Sequence, residues 1–255
     1  MKKYISLSDI HSNIGALNEL KNIEEYNDKE STLVFLGDYI DGFYQEENSG
    51  LDFIRFVKNE IENNNAVALL GNHDQFLVNM VLGERNVSAE YYRIWKNNGM
   101  EKTLNSWGID PSIGWENIIY ELKNDPYIEL IKFLSTLKPS MELSEKIRIA
   151  HAGIRWNIEF DKQNVDDLLW IRQEYYFSTN QKLKSNLGYV YVTGHTPNQY
   201  INGESNIIRI DKEEDTTLYL IDAGSKGVNK DETTKINVLI LNEDGEYIKS
   251  YQLEG

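Results

Sequence analysis

The sequence predicts an α/β layered fold, and three observations carry that prediction. Short β-branched or aliphatic runs recur along the 255 residues, several of them apolar almost throughout, as strands covered on both faces are. Amphipathic helical patterns separate the first three of these runs. The C-terminal third then turns to strand-like runs joined by short polar turns.

In chain order, "YISLS" (4–8) is the first expected strand. Two lysines precede it and it turns polar after five residues, too short a core for a signal peptide. "NIGALNELKNIEEY" (13–26) then sets Ile14, Leu17, Leu20 and Ile23 at helical spacing, with Asn13 as the N-cap. "TLVFLG" (32–37) is the second strand. A second helix over 50–62 carries Leu51, Ile54, Val57 and Ile61, and "AVALLG" (66–71) is the third strand. Residues of about 75–146 read as a helical insertion within a single domain spanning 1–255, rich in aromatics such as Tyr91, Trp95, Trp107 and Tyr120. "IRIAH" (147–151) and "YVYVTG" (189–194) are further buried strands. The runs 206–210, 217–224, 235–242 and 246–253 are expected to form antiparallel strands of a second sheet, with "NEDGE" the clearest turn.

Composition narrows the function. A formal charge of −15 argues against general nucleic-acid binding, which needs clustered Lys and Arg against phosphate. No apolar run reaches membrane-spanning length. The absence of cysteine removes disulfides and thiolate metal sites and points to a reducing, cytoplasmic home.

The four histidines are the informative residues. His11, His73, His151 and His195 each stand at or just beyond the C-terminal end of an expected strand, in "SDIHSN", "GNHD", "IAHAG" and "VTGHTP". "LGDYIDG" (36–42) adds a fifth polar cluster at such an end. Ligands bind at the carboxyl edge of open α/β sheets. One histidine there is ordinarily structural, whereas packing gives no reason for all four. Asp9 and His11, two apart on one strand, point the same way. Asp38 has two oxygens with which to bridge two ions, and Asn72, His151 and His195 add neutral donors. Six nitrogen and oxygen donors without sulfur suit two divalent ions, Mn²⁺ foremost, then Fe, Zn²⁺ or, less well, Mg²⁺. Two such ions about 3.5–4 Å apart clamp a phosphoryl group for in-line attack by an activated water. His73, beside the ligand Asn72 but facing the other way, is placed to protonate the leaving oxygen, with Asp41 as its orienting partner.

The ordered set "DIH", "GDYID", "GNHD", "HAG" and "GHTP" resembles the calcineurin-like metallophosphoesterase superfamily over residues 9–197. Within it the chain is most similar to the branch of phosphoprotein phosphatases and symmetrical dinucleoside tetraphosphatases. The resemblance implies a four-layer α/β/β/α sandwich, two mixed sheets flanked by helices, around a two-metal centre. It implies Asp9, His11, Asp38 and His195 on one metal, with Asp38, Asn72 and His151 on the other. His73 and Asp41 match the general-acid pair.

The chain departs from the pattern twice. Ser8 and Ser12 flank "DIH" where glycines are common, and Gly42 stands where the family carries a phosphate-contacting arginine. Arg172, in "DLLWIRQEY" (167–175), is the first candidate to replace it and Arg155, in "HAGIR", the second. Arginine suits that role because its planar fork matches phosphate. Asp222, in "YLIDAGSKG", is expected near the site in a structural part. "GSKG" lacks the full phosphate-loop pattern and a following helix. The expected partner is a phosphorylated substrate, and three readings stay open: a serine/threonine protein phosphatase, a hydrolase of dinucleoside polyphosphates or other nucleotides with insertion aromatics stacking bases, and a non-catalytic metal-dependent binding module. Oligomeric state is left open.

Overall fold

The computed structural model describes residues 2–42, 49–63, 65–178, 182–227 and 234–254, and its strands sort the apolar side chains into three cores. The first sheet is built on the parallel strands β1 (Lys3–Leu7), β2 (Ser31–Phe35) and β3 (Ala66–Ala68). The second contains β4 (Ser140–Glu142), β5 (Ile147–Ala150), β6 (Val190–Thr193), β7 (Ile208–Asp211) and β8 (Thr217–Leu220). Its order is β4-β5-β6-β8-β7, with β5, β6 and β8 parallel and the two edge strands antiparallel. The last strands, β9 (Lys235–Asn242) and β10 (Tyr247–Glu254), return to the first sheet in the order β10-β9-β1-β2-β3.

Successive side chains of a strand point to opposite faces, so each central strand feeds two cores. In β2, Leu33 and Phe35 join the helix-side core while Val34 faces the other sheet. In β8, Leu218 and Leu220 face outward and Tyr219 packs between the sheets. The middle core is therefore made by both sheets, with Val34, Leu239 and Leu241 against Ile147, Ile149 and Val192. Helices close the outer faces. On the first sheet these are α1 (Ile14–Leu20), α2 (Ser49–Glu62), α3 (Asn72–Leu82), α4 (Arg85–Lys96), α5 (Met100–Ser106), α6 (Trp115–Leu122) and α7 (Tyr127–Leu134). On the second they are α8 (Val165–Trp170) and α9 (Gln173–Tyr176). The result is the expected four-layer sandwich. Asn13 caps α1 by accepting the Ala16 N–H at 3.1 Å.

Two expectations are corrected. The C-terminal strands do not form one sheet: β7 and β8 join the second, whereas β9 pairs with β1 in the first. β9 is buried along nearly its whole length and alternates between two cores, with Val238 and Ile240 on the helix side and Leu239 and Leu241 between the sheets. Such a strand needs neighbours and cover on both sides. β10, exposed over half its length, takes the edge instead. The 75–146 stretch is helical only to Leu134 and ends with the edge strand β4. Its aromatics are mainly core: Trp95 and Trp107 are buried, and Tyr91, Tyr92 and Tyr127 pack against the same cluster. Among the described residues no helix is long and apolar enough to cross a membrane.

Leu239→Ala should cost about 2–5 kcal/mol of unfolding free energy in urea titration, because it opens a cavity between the sheets. Ile248→Ala, on the exposed edge strand, should stay within about 0.5 kcal/mol of the parent.

Candidate active site

All six parallel strands release polar residues just past their C-terminal ends: Asp9 after β1, Asp38 after β2, Asn72 after β3, His151 after β5, His195 after β6 and Asp222 after β8. The ends approach closely enough to forbid a Cβ at some positions. A methyl on Gly71 would lie 2.1 Å from Asp38 Oδ1, and one on Gly194 would overlap Ser8 Oγ and Asp9 Oδ2. The turns are tight as well. Of the eight non-glycine residues with positive φ among the described residues, six are Asp9, His11, Ser12, Asp38, Asp41 and His195. Ser12, where the family has glycine, thus keeps a left-handed backbone at φ 64°. Such conformers concentrate where surrounding contacts over-determine the backbone. Here the main contacts come from Asp74, whose carboxylate accepts the backbone N–H groups of Asp38, Tyr39 and Gly71 at 2.8, 3.0 and 3.0 Å.

The histidine tautomers follow from their backbone partners. His11 Nδ1 lies 2.6 Å from Ile40 O, and His151 Nδ1 lies 2.7 Å from Leu36 O. A carbonyl only accepts, so both Nδ1 atoms carry the proton and both Nε2 atoms present a bare lone pair. Those lone pairs face the two oxygens of one carboxylate: His11 Nε2 is 3.7 Å from Asp38 Oδ2, and His151 Nε2 is 3.6 Å from Asp38 Oδ1. Two acceptors at that separation make no hydrogen bond, and a cation shared between them satisfies both. Asp38 accordingly belongs to both potential ligand clusters, one with His11 and one with Asp9 and His151. Asn72 Oδ1 stands 2.9 Å from His151 Nε2 and 3.0 Å from His195 Nδ1. This sets the His195 donor beside Asn72 and His151, whereas the resemblance implies that it shares a metal with Asp9 and His11.

His73 is the third member of the first cluster, but both of its nitrogens are engaged in hydrogen bonds. Nδ1 donates to Asp41 Oδ2 at 2.7 Å, and Nε2 accepts from Lys226 Nζ at 2.9 Å. Asp41 is fully enclosed and also accepts from Trp95 Nε1 at 2.7 Å and Thr103 Oγ1 at 2.5 Å. Burial pushes its carboxyl up to about 7, against those two hydrogen bonds, which lower it. Burial holds all four imidazoles below their usual range and therefore neutral. The Asp38 carboxyl is driven well above its ordinary value by burial and then by Asp9 and Asp74. The same holds for Asp222, by burial and then Asp9. Several enclosed carboxylates beside neutral imidazoles are the environment that divalent cations stabilise. The nitrogen and oxygen donor set fits them.

Asp9, His11, Asp38, Asn72, His73, His195 and Arg172 line one cavity of about 450 Å³, with His151 and Asp41 enclosed directly behind it. Arg172 Nη1 donates to His195 O at 3.2 Å and Thr196 Oγ1 at 2.9 Å. Arg155 does not line the cavity, and its half-exposed guanidinium donates to Asp167 at 2.7 Å. Gly42 has no room for a side chain, since a Cβ there would lie 2.0 Å from His11 O. The aromatic rings on the cavity wall are Trp170 and Tyr200, not those of the insertion. Sequence reasoning missed Asp74, Trp95, Thr103 and Lys226. Asp74 adjoins "GNH" and Lys226 lies in the discounted "GSKG", so those two carried a signal, whereas nothing local marks Trp95 or Thr103 as partners of Asp41.

A calcineurin-like phosphoesterase family profile matches residues 3–221. Among solved structures, a candidate diadenosine tetraphosphatase aligns over 100% of this chain and 94% of its own, with 16% identity and a TM-score of 0.61. A metallophosphoesterase from Sphaerobacter thermophilus aligns over 99% and 88%, with 14% identity and a TM-score of 0.53. A Saccharomyces cerevisiae serine/threonine phosphatase with similarity to human phosphatase PP5 aligns over 100% and 80%, with 10% identity and a TM-score of 0.52. At these identities the likeness is one of fold. No curated protein matches the sequence.

The raised Asp38 carboxyl gives metal affinity a definite pH dependence. It retains a proton at pH values where a free aspartate has lost it, and a cation must displace that proton. The histidines, already neutral, add no such cost. Mn²⁺ affinity should therefore rise with pH above the range in which a free aspartate titrates, by up to about ten-fold per unit for one displaced proton. Calorimetry in buffers of different ionisation enthalpy should count protons released, not taken up.

Proposed function

The chain belongs to the calcineurin-like phosphoesterase family and is a phosphoric ester hydrolase, and on that premise we propose that it works with two divalent cations, manganese foremost, held by Asp9, His11, Asp38, Asn72, His151 and His195. The observation that carries this reading is the Asp38 carboxylate, each of whose oxygens faces the bare Nε2 of a different histidine. When bound, the cations supply the Lewis acidity that activates an attacking water and neutralises phosphoryl charge. Asp38 would contribute to both positions, and the Ile40 and Leu36 carbonyls keep His11 and His151 in the tautomer that could ligate. His73 takes a proton from solvent on Nε2 and delivers it to the departing oxygen. Asp41 holds the opposite Nδ1–H and stabilises the imidazolium from which the proton leaves. Trp95 and Thr103 fix the Asp41 carboxylate, which in turn fixes the ring. Arg172, anchored on His195 and Thr196, turns its guanidinium toward the phosphoryl oxygens.

The substrate class that fits best is a phosphorylated serine or threonine on a protein. The exposed rings of Trp170 and Tyr200 rim a mouth suited to a side chain presented from a surface. A dinucleoside polyphosphate is the second reading, favoured by an adjoining cavity of about 420 Å³ that Lys96, Lys102 and Lys226 line. The cysteine-free chain suits a reducing, cytoplasmic compartment.

With Mn²⁺ and an aryl phosphate, Asp38→Asn should abolish turnover and lower the bound metal together. His73→Ala should slow turnover by about 10²–10⁴-fold with metal content unchanged by atomic emission. Loss of metal in the histidine variant would reassign His73 as a ligand. The ratio of kcat/KM for a phosphoserine peptide to that for diadenosine tetraphosphate decides between the two substrate classes.

A further inference from the structure

Lys226 follows β8 in a loop built to hold it. Asp222 Oδ1 accepts the Gly224 N–H at 2.7 Å, and Gly227 N–H returns to Gly224 O at 2.9 Å. Both glycines have positive φ, 78° and 91°, so the turn that presents Lys226 to the cavity depends on them. The ammonium is placed within the catalytic chemistry. Its hydrogen bond goes to His73 Nε2, the atom from which the leaving oxygen must receive its proton. A departing oxygen that reaches this nitrogen takes the ammonium's present place and leaves the ammonium one hydrogen bond away. Its present partner there is a neutral imidazole, whereas an anionic phosphate oxygen adds opposite charge to the hydrogen bond.

Two further observations narrow its role. No side chain can stand at position 42, and among the described residues the cationic side chains on the cavity wall are Arg172 and Lys226. Arg172 is tethered to His195 and Thr196, whereas lysine is a point charge on a flexible four-carbon stem and can follow a moving oxygen. Lys226 also lines the second cavity with Asp41 and Asn98, and so stands at the junction of the two.

We propose that Lys226 is a phosphate-binding catalytic residue, whose ammonium passes from His73 Nε2 to a phosphoryl oxygen as substrate enters. This leaves the Nε2 lone pair open to take up a proton from solvent, giving the imidazolium that Asp41 stabilises and that then protonates the leaving oxygen. The inference rests on the phosphoesterase reading, and its test separates the two. Inorganic phosphate is titrated calorimetrically into the Mn²⁺-loaded full chain and into the variants Lys226→Met, Lys226→Gln and Lys226→Arg, with bound metal measured for each. Lys226→Gln keeps a hydrogen-bond donor for His73 and serves also if the methionine variant misfolds. Met and Gln should weaken phosphate binding by about ten- to a hundred-fold, Arg by only a few-fold, all with metal content unchanged. If the glutamine variant binds phosphate as tightly as the parent, or if the variants lose metal, the proposal is overturned and Lys226 merely positions the ring or supports the metal site. If the parent binds no phosphate, it is likewise overturned. If the parent binds phosphate in a Lys226-dependent way yet turns over no phosphate ester, the phosphoesterase reading falls and the binding role stands.

Discussion

One carboxylate joins the two halves of this molecule. Asp38 leaves β2 in a left-handed conformation at φ 59°, accepts the His11 backbone N–H on its own carbonyl, and accepts the His73 N–H on Oδ1. Its oxygens then face one histidine from each sheet. The geometry holds only because Asp74 gathers the neighbouring backbone N–H groups, and because Gly37 and Gly71 meet with no side chain between them. The three strand ends of the first sheet are thereby fixed against one another before the second sheet adds its donors. The backbone strain of several left-handed residues, about 1–3 kcal/mol apiece, is offset by the cores that clamp the strands.

The electrostatics point the same way. Asp9, Asp38, Asp41, Asp74 and Asp222 are all buried, with neutral imidazoles among them. A protein does not enclose so many carboxylates for stability, since each is costly to desolvate. The arrangement divides them by task. Asp74 accepts three backbone N–H groups and Asp41 holds the His73 ring, while Asp9 and Asp38 line the cavity.

Much of this was legible in the sequence. The apolar runs placed most of the strands to within a few residues and the helical spacing found α1 and α2, though not where α1 ends, and each histidine lies beyond a strand end as expected. Sheet membership of the last strands was not, because a run such as "KINVLILN" states that both faces are buried without naming the neighbour. The choice of β1 as its partner is made in three dimensions. Trp95 and Thr103 were illegible for a similar reason: their bonds to Asp41 span 54 and 62 residues. Lys226 was overlooked because "GSKG" was weighed against a phosphate-loop pattern, while its importance comes from the imidazole it meets, 153 residues away in the chain.

The helices after β3 bear on how such enzymes diversify. Trp95 and Thr103 come from α4 and α5, whereas the proposed cation ligands follow strand ends of the sandwich, Asn72 opening α3 and the others lying in the turns. In the proposed mechanism the helices that fix the acid's partner and the segments that would grip the ions are different pieces of chain, and the bonds from Trp95 and Thr103 to Asp41 join them. A lineage can remodel or exchange the helical piece and retune how readily the acid gives up its proton. The metal cradle, built into the architecture of the sheets, would come through such remodelling intact.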